Sequence, residues 1–224
     1  HHEFTGRSDR FFMFEGLGSI FWNMVAKLAV AVQGCIDRSS DPQSAAALAD
    51  LYHDIRDGLG FRKDPVLQGA FPTDPYSHTP QHMGAQQPGM TGQVKEQIIT
   101  RFGELGVEVH EGCARFVPEL TPGSEFTRSP MAASFTGRDG QKTTLELEAG
   151  SLAFTYCGVP VVYRLGSTAA IELEMADGRL ERIEGPRLSR AQSSALFSRD
   201  GAYRRVSVTV PADALHGSTA VTTS

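Results

Sequence analysis

The chain has 224 residues, 40% of them apolar, with a net charge of -5, enough for one large domain or two small ones built on a proper core. The mildly acidic balance and the lack of a basic stripe argue against nucleic acid as a partner. The most apolar run, Ile20 to Val32, is interrupted by Asn23 and Lys27 and is too short to cross a bilayer.

Three cysteines, Cys35, Cys113 and Cys157, have neither metal-site spacing nor the even count of a disulfide framework. They are expected to be small buried apolar residues in a reducing, cytoplasmic protein. His1-His2 with Glu3-Phe4 reads either as a tag remnant with a cloning scar or, the favoured expectation, as the start of the tail of something longer.

In chain order, Ser19 is placed to cap a helix running to about Gln33. Ile20, Met24, Leu28 and Val32 recur every four residues, and Phe21, Trp22 and Val25 widen the stripe. A surface that wide suits a helix buried on most sides. Asp41-Pro42 opens a second helix, with Ala47, Leu48, Leu51, Tyr52 and Ile55 as its expected buried face and Gly58 and Gly60 at its end. Residues 61–88 form a long irregular connection rich in Pro, Gly, His and Gln. Thr91 heads a third helix, with Val94, Ile98 and either Phe102 or Leu105 as its apolar stripe.

After Gly106 the apolar period changes from about 3.6 to 2. Short strands are expected at Val107–Val109 and Ala114–Val117. From Pro130 the pattern is strand and turn only, with Asp139-Gly140, Asp177-Gly178 and Asp200-Gly201 as hairpin signals. Strands are expected near 131–135, 143–147, 152–156, 159–164, 169–175, 180–183, 194–198 and 203–210. Helices followed by strands predict an α+β chain: a helical segment over 1–106, an antiparallel β-sandwich over 107–216, and a disordered tail over 217–224. Three helices joined by so long a loop do not close a bundle. Their apolar faces call for a cover, either a missing N-terminal part of the same protein or a second copy in a homodimer.

The densest polar stretch is the loop carrying Asp74, Tyr76, His78, His82, Gln86 and Gln87, which runs into Met90-Thr91-Gly92-Gln93. Joining two helices takes about 2 to 8 residues, so a loop of this length and polarity reads as a carrier of binding groups or as a solvated connection. Asp74 either holds a ligand or caps the turn at Pro75. Tyr76 and His78 either face a ligand or pack on the loop's own prolines. Thr91, Gly92 and Gln93 either bind an anion at a helix N-terminus or simply start the helix. His78 and His82, separated by Thr79-Pro80 and lacking a spaced third ligand, do not read as a metal site. Glu15 stands between Phe14 and Gly16 and reads as a base or as the partner of Arg7 or Arg10. In the strand-rich part Phe154, Tyr156, Tyr163 and Tyr203 read as core or edge aromatics, and the arginines from Arg179 to Arg190 as a solvated face.

The Thr91-Gly92 turn opening a helix, the Leu105-Gly106 pair closing it and the Phe116-Val117-Pro118 strand end resemble the C-terminal part of the cellobiose and chitobiose phosphorylases. Asp74-Pro75-Tyr76 looks like that family's acidic-Pro-Tyr segment, and Glu15-Gly16-Leu17-Gly18 like its opening to an inner helix. The resemblance covers about residues 11 to 120. It implies the last helices of an (α/α)6 barrel and an inverting glycoside phosphorylase or a hydrolase of the same barrel class.

Inversion needs a general acid on one face of the sugar and phosphate or an activated water on the other. The resemblance implies oligosaccharide contacts at Asp74, Tyr76, His78, Gln86 and Gln87. It further implies inorganic phosphate as co-substrate at Thr91, Gly92 and Gln93, and Glu15 as a catalytic carboxylate. No other cofactor is implied. The family's catalytic Asp lies upstream in a tryptophan-containing motif that this chain lacks, so the chain alone is expected to be inactive. The alternative expectation is a non-catalytic carbohydrate-binding or assembly module whose strands bind the ligand.

Overall fold

The computed structural model describes residues 17–59, 91–137 and 140–217. Helices come first and strands after, a mixed α+β chain that divides into two compact units, residues 1–101 and 102–224.

The first unit holds α1 (Leu17–Ile36), α2 (Pro42–Leu59) and most of α3 (Thr91–Glu104). Asp41 caps α2: its Oδ2 accepts from the Ser44 N–H at 2.9 Å and the Ser44 hydroxyl at 2.5 Å, with Pro42 preset for the first helical position. Small side chains let α1 and α2 approach: Ala26 and Ala29 on one, Ala49 on the other, all buried. A polar knot ties in the third helix. The Thr100 carbonyl oxygen accepts from Gln33 Nε2 at 2.7 Å and from the Tyr52 hydroxyl at 3.4 Å.

This knot explains where the apolar periodicity misjudged the buried faces. On α2 the buried residues are Ala49, Tyr52, His53 and Arg56, while Ala47 and Leu51 are exposed. Tyr52 faces inward, where its hydroxyl donates to the Thr100 carbonyl oxygen, while Leu51, one position earlier, faces outward. On α1, Met24 is 64% and Leu28 52% exposed, so the helix is not buried on most sides. On α3, Ile98 and Ile99 face outward while Thr100 and Glu104 are buried. Among the described residues no helix is long and apolar enough to cross a membrane.

The second unit is built on strands. β1 (Val107–His110) and β2 (Cys113–Phe116) form a hairpin. Its turn, Glu111-Gly112, has φ of 51° and 74°, the paired positive values of a tight hairpin turn. Gly106, at φ 65°, precedes it where a Cβ would lie 1.9 Å from the Val117 carbonyl oxygen, so only glycine fits. β3 (Met131–Thr136) and β4 (Lys142–Leu147) form a second hairpin.

β5 (Ser151–Tyr156), β6 (Val159–Gly166), β7 (Ala170–Met175), β8 (Leu180–Glu184) and β9 (Tyr203–Pro211) make one sheet in the order β5-β6-β9-β7-β8. The sheet is mixed, because β6 and β9 run parallel; the expectation of antiparallel pairing throughout fails there. A parallel pair needs a long crossover, and here β7, β8 and a helix supply it.

That helix, α4 (Arg190–Ser198), stands where a strand was expected at 194–198. Its first turn carries a complete capping box. Ser189 Oγ accepts from the Gln192 N–H at 3.3 Å, and Gln192 Oε1 accepts from the Ser189 N–H at 2.8 Å. Arg199 closes it in the left-handed region at φ 55°, and the Asp200 carboxylate then accepts from the Ala202 N–H at 3.0 Å. The Asp200-Gly201 pair is therefore a helix exit and not a hairpin turn. Asp177-Gly178 does join an antiparallel pair, β7 and β8.

Alternation along the paired strands gives the sheet two unlike faces. Phe154, Val161, Val206 and Leu173 share one row, and Leu152, Tyr163, Val208, Ile171 and Ile183 the next. These rows belong to the core, with Ala114 and Phe116 of β2 and Leu196 of α4. Tyr163 is fully buried and its hydroxyl donates to the Leu105 carbonyl oxygen at 2.6 Å. The opposite face carries Thr155, Arg205 and Glu174, then Ser207, Glu172 and Arg182, then Ser151, Arg164, Thr209 and Glu184.

Candidate functional site

Glu15, Asp74, Tyr76, His78, His82, Gln86 and Gln87 lie outside the described residues. Thr91, Gly92 and Gln93 form the first turn of α3, so the helix start expected there is present, while the disposition of their side chains lies outside the described structure.

The described residues hold a different candidate, on the polar face of the five-stranded sheet. A cavity of about 440 Å³ opens between that face and the β3–β4 hairpin. The hairpin contributes Phe135, Thr136, Gly137, Thr143 and Leu145. Phe135, Thr143 and Leu145 come from one side of the ribbon, because Phe135 pairs with Thr143 and Ala133 with Leu145. The sheet contributes Thr155 and Pro160, opposite one another on β5 and β6, and Arg205 and Glu174, opposite one another on β9 and β7. Gly158, Tyr203 and Arg204 complete the lining.

Two features give this cavity its chemistry. Arg205 Nη2 donates to Glu174 Oε2 at 2.8 Å, with both side chains about one-quarter exposed. The pair cancels in charge yet sets donors and an acceptor at fixed positions. Among the described residues, Arg205 Nε is buried and has no hydrogen-bond partner, which leaves a donor in want of an acceptor. Tyr203 is spent on structure: it is 7% exposed, and its hydroxyl donates to the Gln192 carbonyl oxygen at 3.2 Å. Burial, with the charges of Glu181 and Asp200, raises its phenol above the ordinary 10.0.

Among the described lining residues Glu174 is the single carboxylate. It is neutralised by Arg205, whereas glycoside cleavage calls for two carboxylates in different roles. No three His, Cys, Asp or Glu side chains among the described residues come together as a metal site. The cysteines are free thiols, and Cys35 is exposed, contrary to the expectation that all three are buried; Cys113 is buried and Cys157 half-buried.

Phe135, Glu174 and Arg205 carry no signal in the sequence that marks them as site residues. Glu172 and Glu174 alternate with Ile171 and Leu173, a clear sign of a two-faced strand. Which ribbon covers the charged side depends on tertiary contacts that no local pattern reports. Among known proteins, no family model matches the chain and no curated protein matches it.

Proposed function

We propose that this chain is the C-terminal part of a cytoplasmic glycoside phosphorylase or hydrolase acting on oligosaccharides. In this reading its helices are the last of an (α/α)6 barrel and its strand-rich unit is a β-sandwich cap. The observation that carries it is the outward apolar surface of the helical unit: Met24, Leu28, Leu51, Ile98 and Ile99, each about half exposed or more. Helices that stand alone turn such a stripe inward; helices of a larger body keep it for their neighbours. The resemblance of the Asp74-Pro75-Tyr76 and Thr91-Gly92 segments supplies the chemistry. Asp74, Tyr76, His78, Gln86 and Gln87 meet the sugar, Thr91, Gly92 and Gln93 meet phosphate, and Glu15 stands on the catalytic side. The general acid comes from the missing N-terminal part.

Product release and binding together test this reading. The isolated chain, given neutral oligosaccharides with and without inorganic phosphate, is expected to release neither sugar phosphate nor new reducing ends. It is expected to bind the oligosaccharides weakly, and Asp74→Ala and Tyr76→Ala are expected to weaken that binding further. Turnover by the isolated chain, or binding indifferent to both variants, contradicts the reading. The cavity on the sheet favours a second one, a non-catalytic carbohydrate-binding module whose strands hold the ligand.

A further inference from the structure

We infer that the cavity between the β3–β4 hairpin and the sheet binds a small organic anion, whose carboxylate or phosphate group is held by Arg204 and Arg205. This ligand class follows from the charges on the cavity wall and is independent of both carbohydrate readings.

The two arginines are neighbours in sequence, and strict alternation along a strand would send their side chains to opposite faces. Both nevertheless line the cavity. The register of β9 on β7 explains this. Arg205 lies opposite Glu174 and Tyr203 opposite Met175, which leaves Arg204 without a partner on β7. One extra residue in one strand is a β-bulge, a break in alternation that re-aims a side chain and recurs beside functional sites. Here it brings a second guanidinium to the wall that Arg205 already occupies.

The described lining therefore carries Arg204 and Arg205 against a single carboxylate, Glu174. Arg205 Nη2 donates to Glu174 Oε2 at 2.8 Å, while its Nε–H is buried and has no partner among the described residues. An acceptor at the Nε edge leaves the Arg205–Glu174 pair in place, and an anionic acceptor makes the stronger, charge-assisted bond. Arg204 is exposed, and among the described residues no ion pair cancels its charge. A cation meets the opposite situation, because Glu174 is already engaged. Behind the charged groups, Phe135, Leu145 and Pro160 supply apolar surface. The volume of about 440 Å³ falls within the roughly 300–1,000 Å³ typical of small-molecule sites. That is room for an organic body as well as its anionic head.

The test is calorimetric titration of the full chain with phenylacetate, phenyl phosphate and the neutral phenylacetamide, which share a ring and differ in the group it carries. At least one of the anions is expected to bind about tenfold or more tighter than the amide, and the tighter of the two identifies the head group. Added salt is expected to weaken anion binding and to spare the amide. Arg205→Lys keeps a charge beside Glu174 but removes the planar fork, and is expected to weaken anion binding about tenfold. Arg204→Gln is expected to weaken it about threefold, and Glu174→Gln, which keeps an acceptor for Arg205 but no charge, to strengthen it. Thermal unfolding shows whether each variant is folded; should Arg205→Lys fail to fold, Arg204→Gln and the salt series decide. Equal affinity for the amide and both anions, anion binding indifferent to both arginine variants, or no binding of any probe at millimolar concentration overturns the inference. So does a preference for neutral gluco-oligosaccharides, which would give the cavity to the module reading. None of these results touches the catalytic reading, whose residues lie elsewhere.

Discussion

Tyr163 shows how a single side chain can serve two ends of the second unit. Its ring fills the core beside Phe116 and Phe154, and its hydroxyl holds the Leu105 carbonyl where α3 gives way to β1. Burial, with a contribution from the Glu108 charge, holds the phenol well above 10.0. A folded value raised above the unfolded one means a contribution that is complete below 10.0 and is lost as the pH rises through the folded value. Tyr163→Phe keeps the ring but strands the buried carbonyl. Denaturant unfolding near neutral pH is therefore expected to show a loss of about 1–3 kcal/mol. The variant is also expected to lose stability less steeply than the parent above pH 10.0. A variant as stable as the parent would mean that the hydrogen bond contributes nothing net.

At the level of elements, α4 shows what local chemistry can impose. Its apolar residues, Ala195 to Phe197, satisfy a strand pattern as well as a helical one. The capping box at Ser189 and Gln192 settles the choice. Ser189→Ala is expected to lower stability by about 1 kcal/mol, read as a lower midpoint in urea with an unchanged slope. The expected positions of β3 to β9, the three long helices and the shift from helices to strands after Gly106 all agree with the structure, because each rests on periodicity within one segment. The buried faces of α1 and α2 agree in part, with Val32 and Tyr52 buried but Met24, Leu28, Ala47 and Leu51 exposed, since Gln33 and Tyr52 bond to Thr100 across segments distant in sequence. The parallel β6–β9 pair was missed for the same reason. The cavity was illegible because Phe135, Glu174 and Arg205 come from three strands whose neighbours are fixed only by the sheet order.

For the whole molecule, the outward stripe on the helices is what supports the proposal that the chain works as part of a larger body. Met24 and Leu28 should then matter little to the chain by itself. The double variant Met24→Gln, Leu28→Gln is expected to change its unfolding free energy by no more than about 0.5 kcal/mol per site, and to abolish assembly with the rest of the protein when the parts are co-expressed. A large loss in the isolated chain would show that the stripe is already covered. The central claim, that this chain engages oligosaccharides, is met most directly by saturation-transfer NMR on the full chain with a panel of neutral oligosaccharides at millimolar concentration. Transfer from protein to the sugar C–H protons for at least one linkage type is the predicted result. No transfer to any sugar, with or without phosphate, would contradict it.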